Sequence, residues 1–208
     1  MAAAGLVAAT DGNISCRLDN GHFLITPSGV GKGLLTKKHL LVTNADGIRI
    51  QGTGRVSTEI KLHLLVYSLR SDIHAIIHAH PPKCIACTIA GLSFDQPILP
   101  EVVVTLGRIP TAPYATPSTE ALPESIRTLI PHTDAIILDR HGTLTAAATL
   151  PDALYKLEKL EHTAGILLNT HMLGTLKTLP DDEVQRLESM RDFYGVRGRH
   201  LSFLKQND

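Results

Sequence analysis

The chain has 208 residues, of which 43% are apolar and 19% are charged, and its 20 basic side chains balance its 20 acidic ones. This length and composition are typical of a globular protein, and we expect a single domain over residues 1–208. A neutral chain has no strong field to attract nucleic acid or an anionic membrane, and no apolar run is long enough to span a bilayer. We therefore expect neither nucleic acid nor a membrane as a partner.

The opening segment, MAAAGLVAAT, has no basic residues before its apolar stretch, and a polar Asp-Gly-Asn follows, so it does not predict a signal peptide. It is typical of the last turn of a helix, and we expect an amino-terminal helix that is mostly missing. Apolar residues then alternate over 14–18 and return over 23–26 after a turn at 19–21, which predicts a hairpin. A second strand pair is predicted within 39–52.

Helices and strands alternate irregularly after residue 56. The segment 57–70 predicts a helix that Ser57 or Thr58 caps. Neither the dinucleotide-binding fingerprint nor a GxxxxGK[ST] phosphate loop is present, and the mixture of hairpins and helices predicts an α/β fold with a largely antiparallel or mixed sheet. The buried face of the first helix is predicted to hold Ile60, Leu64, Val66 and Leu69. The other predicted elements are a strand over 72–80, a helix over 82–91, two strands within 135–148 and helices over 150–173 and 180–195.

The three cysteines, Cys16, Cys84 and Cys87, are too few and odd in number for a disulfide framework. A reducing cytoplasm is therefore the expected compartment. Cys84 and Cys87 form a CxxC motif without a second pair, and we interpret them as buried helix cysteines rather than as a zinc-ribbon or redox site.

Two histidines end the apolar run AIIHAHPP. Side chains at i and i+2 of a strand point to the same face, so His78 and His80 project together while Ala79 points away. Two prolines then end the strand. Paired imidazoles suit a zinc-like ion, although the spacing alone fits an ordinary polar pair equally well.

His141, in the turn of DRHGT, is a candidate third ligand, because a catalytic zinc usually has three protein ligands and an open position. Gly142 beside it permits a close approach of backbone or ligand. His63 is on the predicted helix and is expected to face a neighbouring polar group. The other histidines are expected on the surface or on helices: His22, His39, His74, His132, His162, His171 and His200.

Glu59 follows Ser57 and Thr58 at the predicted start of a helix. A carboxylate in this position often does no more than complement the helix dipole. The functional alternative is a general base beside a metal, one that binds the ion at rest and takes a proton when substrate arrives.

Several turns carry groups that can bind an anion. Hydroxyls and backbone N–H groups at a helix start, here Ser57 and Thr58, form such sites. Ser28 and Gly29 in TPSGVGKG form another polar turn, and Asn13 lies in DGNIS. Each alone is more typical of an ordinary turn or cap. Beside a metal, they predict a pocket for a small sugar phosphate.

Taken in order, the pieces GNIS, TPSG, STE, HAHP, APYATPST and DRHG resemble the class II aldolase/adducin family. The resemblance runs from about residue 5 to residue 195. It implies an α/β fold in the form of a three-layer α/β/α sandwich with a mostly antiparallel central sheet. It also implies a homotetramer with sites at subunit interfaces, and one Zn²⁺ ion per subunit, with other divalent metals as alternatives.

The resemblance further implies a role for each matching residue. Zinc ligands fall on His78, His80 and His141, and the glutamate that binds zinc at rest and acts as acid/base falls on Glu59. The phosphate-binding positions fall on Asn13, Ser28, Gly29, Ser57 and Thr58, where Thr58 replaces a serine. The implied reaction is reversible cleavage of a fuculose-1-phosphate-like ketose 1-phosphate to dihydroxyacetone phosphate and an aldehyde, through an enediolate that the metal stabilises.

The chain departs from the fuculose-specific pattern in one functional segment. Where those aldolases carry a tyrosine that protonates the leaving aldehyde, this chain reads ILPEVVVTLG, which places Glu101 near that position. Glu101 is either a second acid/base or a structural carboxylate. Tyr114 is interpreted as a packing residue. The family alternatives are a methylthioribulose-1-phosphate dehydratase, a pentulose-5-phosphate 4-epimerase, whose members carry aspartate at the position of Glu59, and a non-catalytic adducin-like module.

Overall fold

The computed structural model of the chain describes residues 1–204. A short 3-10 turn over Ala2–Ala4 ends at Gly5, and two further 3-10 turns lie at Lys32–Leu34 and Lys37–His39. The strands are β1 (Asn13–Arg17), β2 (Phe23–Ile25), β3 (Leu41–Thr43), β4 (Arg49–Gln51), β5 (Ala75–Ala79), β6 (Thr111–Ala112), β7 (Ala135–Leu138) and β8 (Gly142–Ala147). The helices are α1 (Ile60–Leu69), α2 (Pro82–Ile89), α3 (Pro100–Thr105), α4 (Ala121–Ile126), α5 (Leu150–Leu173) and α6 (Asp181–Ser189).

Within residues 1–204 the strands form one sheet in the order β4-β3-β2-β1-β5-β8-β7-β6. Neighbouring strands are antiparallel except for β6 and β7, which are parallel. The predicted α/β class and mostly antiparallel sheet are therefore confirmed, together with both predicted hairpins. The three-layer sandwich and the single domain over 1–208 stay predictions.

The two faces of the central strands pack against different helices, as the period-2 alternation of a strand requires. Ile76 of β5 and Leu144 of β8 join a buried cluster with α1 and α4. Ile77 of β5 lies in a cluster with Leu157 of α5 on the other face. No helix in the described part of the chain is long and apolar enough to cross a membrane.

Helix α1 differs in detail from its prediction. It begins at Ile60 with Glu59 as the N-cap residue, whose side chain makes no capping hydrogen bond within residues 1–204. The predicted N-cap at Ser57 or Thr58 is therefore wrong, although the Ser57 hydroxyl accepts from the Glu59 N–H at 3.3 Å. Leu69 is exposed, not buried. The helix instead buries Ile60, Leu62, His63, Leu65, Val66 and Tyr67, a set that includes two polar residues.

Strand register brings distant parts of the chain together. In the β1–β5 pair, Asn13 lies opposite His78. An isolated bridge joins Pro27 to Val56, and the Ser28 N–H donates to the carbonyl oxygen of Arg55 at 2.9 Å. The candidate turns at Asn13 and at Ser28 therefore lie at one end of the interior strands β1, β2 and β5, beside the start of α1.

Candidate metal centre

Three histidines converge where β5 ends and β8 begins. His78 is the fourth residue of β5, His80 follows the strand, and His141 precedes β8. Each offers one ring nitrogen, and these nitrogens all lie within 4.8 Å of one another. Strand geometry explains the convergence, because His78 and His80 share a face and β8 is the antiparallel neighbour of β5.

Two glycines allow the surrounding backbone to approach closely. A Cβ atom on Gly142 would lie 2.2 Å from the carbonyl oxygen of Ala79, and one on Gly12 would lie 2.8 Å from that of His78. Neither position can carry a larger residue without a backbone shift. The group that approaches Gly142 closely is thus the backbone of strand β5, one of the two alternatives predicted.

A hydrogen bond orients the imidazole of His78, and a carboxylate lies near the outer nitrogen of His80. His78 Nδ1 donates to the carbonyl oxygen of Thr143 at 2.9 Å, which leaves Nε2 as the nitrogen that faces the cluster. His80 Nδ1 lies 3.5 Å from a carboxylate oxygen of Asp11. Such partners commonly fix the ring orientation of metal-binding histidines. Among the described residues, His141 Nδ1 is buried with no partner.

Glu59 faces the histidines from the start of α1. Its two carboxylate oxygens lie 3.2 Å from His141 Nε2 and 3.4 Å from His78 Nε2. The amide nitrogen of Asn13 donates to this carboxylate at 2.8 Å. Because Asn13 lies opposite His78 in the sheet, one strand pair positions both a histidine and the residue that holds the carboxylate.

Burial sets the charge states of these groups. Desolvation lowers the pKa of His78 to about 3. It also lowers the pKa of His80. Burial alone would raise the pKa of Glu59, but the His141 hydrogen bond and the neighbouring imidazoles lower it instead. At neutral pH His78 is therefore neutral and Glu59 is ionised.

This set of donors fits a divalent transition metal. Three imidazoles with one nearby carboxylate suit zinc, which prefers nitrogen, sulfur and oxygen ligands in a tetrahedral arrangement. A metal ligand must be an unprotonated imidazole or an ionised carboxylate, and desolvation keeps the buried His78 unprotonated.

Two of the predicted anion-binding residues, Asn13 and Ser57, contact each other beside this cluster. Asn13 also approaches the Ser57 hydroxyl, at 3.3 Å, and the Glu59 N–H donates to the same hydroxyl oxygen at 3.3 Å. The Gly29 N–H has no hydrogen-bond acceptor within residues 1–204. The Thr58 hydroxyl instead bonds that of Ser118 at 2.6 Å.

Glu101 is not brought to the histidines. It lies exposed in the first turn of α3, and its carboxylate pairs with no histidine of the described chain. The cysteine interpretation is confirmed, since Cys84 and Cys87 are free and buried on α2, and desolvation raises the pKa of both thiols.

A polar seam between β1 and α1 was not predicted. The seam consists of Ser15, His63 and Tyr67, with the Ser15 hydroxyl 2.6 Å from His63 Nδ1 and 2.9 Å from the Tyr67 hydroxyl. Ser15 lies two residues after Asn13 on β1, and His63 lies one helical turn after Glu59 on α1. The seam is therefore the next layer of contacts after the one between Asn13 and Glu59. The expectation that His63 faces a polar group is confirmed. The approach of Asp11 to His80 was also not predicted, because contacts between loops leave no periodic pattern in the sequence.

The model of the "Class II Aldolase and Adducin N-terminal domain" family matches residues 1–168. The chain belongs to this family. A 5-deoxy-D-ribulose 1-phosphate aldolase of Bacillus thuringiensis serovar kurstaki is 32% identical over 94% of this chain and 92% of its own length. A 3-oxo-tetronate 4-phosphate decarboxylase of Cupriavidus necator is 30% identical over 93% and 90%.

A solved structure of L-fuculose 1-phosphate aldolase superposes with a TM-score of 0.83 at 27% identity, covering 92% of this chain and 90% of that one. The fold is therefore that of a class II aldolase. The relatives differ in substrate and in the bond they break, so family membership supports a lyase without selecting its substrate.

Proposed function

We propose that this chain is a metal-dependent aldolase that reversibly cleaves a short-chain ketose 1-phosphate to dihydroxyacetone phosphate and an aldehyde. The observation that carries the proposal is the ionised Glu59 held 3.2 Å and 3.4 Å from two of three converging histidines. A carboxylate with no cationic side chain as its partner is suited to moving a proton, and a cluster of neutral imidazoles is suited to a metal.

The protein groups divide the work between them. His78, His80 and His141 would hold a zinc ion, which supplies positive charge against the developing enediolate as a Lewis acid. Glu59 would move the proton at C3 of the substrate, because its carboxylate is ionised and Asn13 fixes its position. Asn13, Ser28, Gly29, Ser57 and Thr58 would bind the phosphate and so orient the bond to be broken.

The placement of the phosphate at this pocket has a backbone basis. Helix α1 starts here, and the Thr58 N–H has no acceptor among the residues described. A free N–H group at a helix start, with the unpaired Gly29 N–H on the turn that pairs with residues 55–56, favours an anion. A phosphate held here would lie beside Glu59, as the reaction requires.

Glu101 stays a prediction as a second acid/base. Its exposure on α3 leaves it accessible to a neighbouring copy of the chain, which the predicted homotetramer with interface sites would supply. Glu101→Gln tests it: a loss of kcat with unchanged zinc content supports the catalytic role, and full activity contradicts it. The native metal as zinc and the cytoplasmic location also stay predictions.

The experiment that tests the proposal is a coupled assay for dihydroxyacetone phosphate on protein of measured metal content. The panel contains 5-deoxy-D-ribulose 1-phosphate, L-fuculose 1-phosphate and L-rhamnulose 1-phosphate, each with and without a chelator. Chelator-sensitive release from any of them is the expected result. Zinc binding without release from any substrate would contradict the aldolase proposal.

A second candidate is decarboxylation of a 3-oxo acid phosphate, which the relative from Cupriavidus necator favours. Loss of carbon dioxide from such an acid also leaves an enediolate, so the same metal and phosphate pocket would serve. Release of carbon dioxide from 3-oxo-tetronate 4-phosphate, with no dihydroxyacetone phosphate from the ketose panel, would select it. The dehydratase and epimerase alternatives predict loss of water or inversion at C4 instead.

A further inference from the structure

Lys32 places an unpaired cation between the two loops of the phosphate pocket. Its ammonium donates to the carbonyl oxygen of Thr10 at 2.8 Å and to that of Val30 at 3.2 Å. Thr10 lies three residues before Asn13, and Val30 directly follows Gly29. The ammonium therefore joins the loop that carries Asn13 to the turn of Ser28 and Gly29.

The ammonium has no anionic partner. Its two acceptors are neutral carbonyl oxygens, and one of its three N–H groups stays free. Within residues 1–204 it forms no ion pair, and the nearby Asp11 instead approaches His80 at 3.5 Å. Desolvation lowers the pKa of Lys32, while the charges of Asp11 and Glu59 act in the opposite direction.

For this half-buried ammonium, desolvation outweighs the more distant charges of Asp11 and Glu59, so an anion that contacts it directly would be favourable. The Gly29 N–H, directly before the Val30 carbonyl that Lys32 contacts, has no acceptor within residues 1–204, and the Ser28 hydroxyl belongs to the same turn. An ammonium, an amide N–H and a hydroxyl together form a set that commonly binds phosphate oxygens.

We propose that Lys32 is a substrate-binding residue whose ammonium pairs with the phosphate of a phosphate monoester bound at the Ser28–Gly29 turn. This inference rests on the phosphate pocket of the proposed function and adds the charge that the uncharged residues of that pocket lack. It also makes Lys32 a determinant of specificity for phosphorylated over unphosphorylated sugars.

Arg55 is the competing cation. Its guanidinium lies 3.4 Å from the Ser28 hydroxyl, but the side chain is exposed. Exposed charges are screened by water and salt, whereas a half-buried ammonium is screened less. Lys32 is therefore expected to contribute more to phosphate affinity than Arg55.

The test is calorimetric binding of dihydroxyacetone phosphate, dihydroxyacetone and inorganic phosphate to the zinc-loaded protein. Lys32→Met is expected to weaken both phosphate ligands about 10- to 100-fold, which is the usual range for a hydrogen bond to a charged group. Affinity for dihydroxyacetone and for zinc should stay unchanged. Lys32→Arg should keep most of the phosphate affinity, and the exposed Lys38→Met is the matched control.

Three results would overturn the proposal: unchanged phosphate affinity in Lys32→Met, an equal loss of zinc affinity, or a larger effect from Arg55→Met. The outcome is separable from that of the aldolase assay. Phosphate binding that depends on Lys32, in a protein that cleaves no ketose phosphate, supports the inference while contradicting the proposed function. Cleavage of a ketose phosphate at an unchanged rate and KM in Lys32→Met would support the proposed function and contradict the role of Lys32.

Discussion

Two buried polar clusters lie at opposite ends of the central strands, and they differ in how their charges are paired. The histidine cluster comprises Glu59, His78, His80 and His141, near the end of β5. The arginine cluster comprises Arg70, Asp72, Asp134, Lys156 and Arg199, near the start of β5 and β7. Both contain charged groups that are largely withdrawn from water, Glu59 in the first cluster and Arg70, Asp134 and Lys156 in the second, whereas Asp72 and Arg199 are exposed at the rim. Withdrawing a charge from water is costly unless it finds a partner.

The arginine cluster satisfies its charges internally. The fully buried Arg70 guanidinium lies 2.6 Å from Asp134 and 2.7 Å from Asp72, and Lys156 Nζ lies 2.7 Å from Asp134. A cavity of about 470 Å³ opens beside these residues. Because Arg70, Asp134 and Lys156 are already paired with one another, the arginine cluster is suited to joining the elements around it.

The histidine cluster leaves polar atoms unsatisfied. Among the residues described, the buried atoms without a hydrogen-bond partner include His141 Nδ1, Asn13 Oδ1 and His63 Nε2, which lie in or around this cluster. Each such atom costs stability. The contrast teaches that pairing, not burial, separates a cluster that stabilises the fold from one that is available for chemistry.

The largest expected effect is that of His78→Ala. Removing one of the three proposed nitrogen ligands should lower zinc affinity by more than the ~100-fold typical of changes behind the ligands, and should abolish activity. Metal content and the aldolase assay measure this. His74→Ala, which changes an exposed histidine just before the same strand, is the control, and unchanged zinc content in His78→Ala would refute the metal centre.

Glu59→Gln should keep zinc and lower kcat by about 10²- to 10⁴-fold, since proton transfer by a positioned side chain contributes that much. The exposed Glu158→Gln should have no effect. Steady-state kinetics at matched zinc occupancy measure the difference. A loss of zinc in proportion to the loss of activity would instead make Glu59 a ligand only.

Asp134→Ala should lower the free energy of unfolding by about 3–5 kcal/mol, because it leaves the buried Arg70 without its buried counter-ion. Zinc affinity should not change. Urea unfolding measures the first quantity and calorimetry the second, with the exposed Asp95→Ala as the control. An unchanged free energy of unfolding in Asp134→Ala would mean that the paired charges of the arginine cluster do not stabilise the fold, which contradicts the contrast drawn between the two clusters.

His63→Gln should alter how stability depends on pH. Burial lowers the pKa of His63 from 6.5 to about 4. Between these two pH values His63 is protonated in the unfolded chain but stays neutral in the folded chain. Stability is therefore retained above pH 6.5 and falls as the pH drops towards 4, with a His63 contribution of about 2 kcal/mol at pH 5.

Urea unfolding of the metal-free protein at pH 7.5 and pH 5.0 checks this prediction. His63→Gln should show the smaller decline between the two pH values, whereas the exposed His132→Gln should match the parent chain. Equal declines in all three proteins would mean that His63 is not held neutral by burial.

The sequence predicts that His78 and His80 share a face, because strand alternation acts over two residues. The turn makes His141 only a candidate, and the order of the motifs, through the resemblance to the class II aldolase/adducin family, groups His141 and Glu59 with the pair. Their convergence is observed, although the roles of all the predicted site residues stay predictions. The α/β class and the antiparallel hairpins follow from local patterns in the same way.

Contacts between loops could not be predicted in this way. Asp11 meets His80 and Lys32 meets Thr10 only because separate loops close against each other. The cap of α1 was wrong for a related reason, since the Ser57 hydroxyl lies beside Asn13. In β1 the polar Asn13 and Ser15 are buried while Ile14 and Cys16 are half-buried, which reverses the simple hydrophobic pattern.

The pairing of Asn13 with His78 in adjacent strands has a consequence for how this protein can diverge. Inserting or deleting one residue within β1 would turn Asn13 away from Glu59 and move Ser15 away from His63. The turn that carries Ser28 and Lys32 lies outside the regular strands and is free of that constraint. Changes in loop length are therefore the accessible route to new substrates, whereas the strands that frame the histidines can change only by substitution.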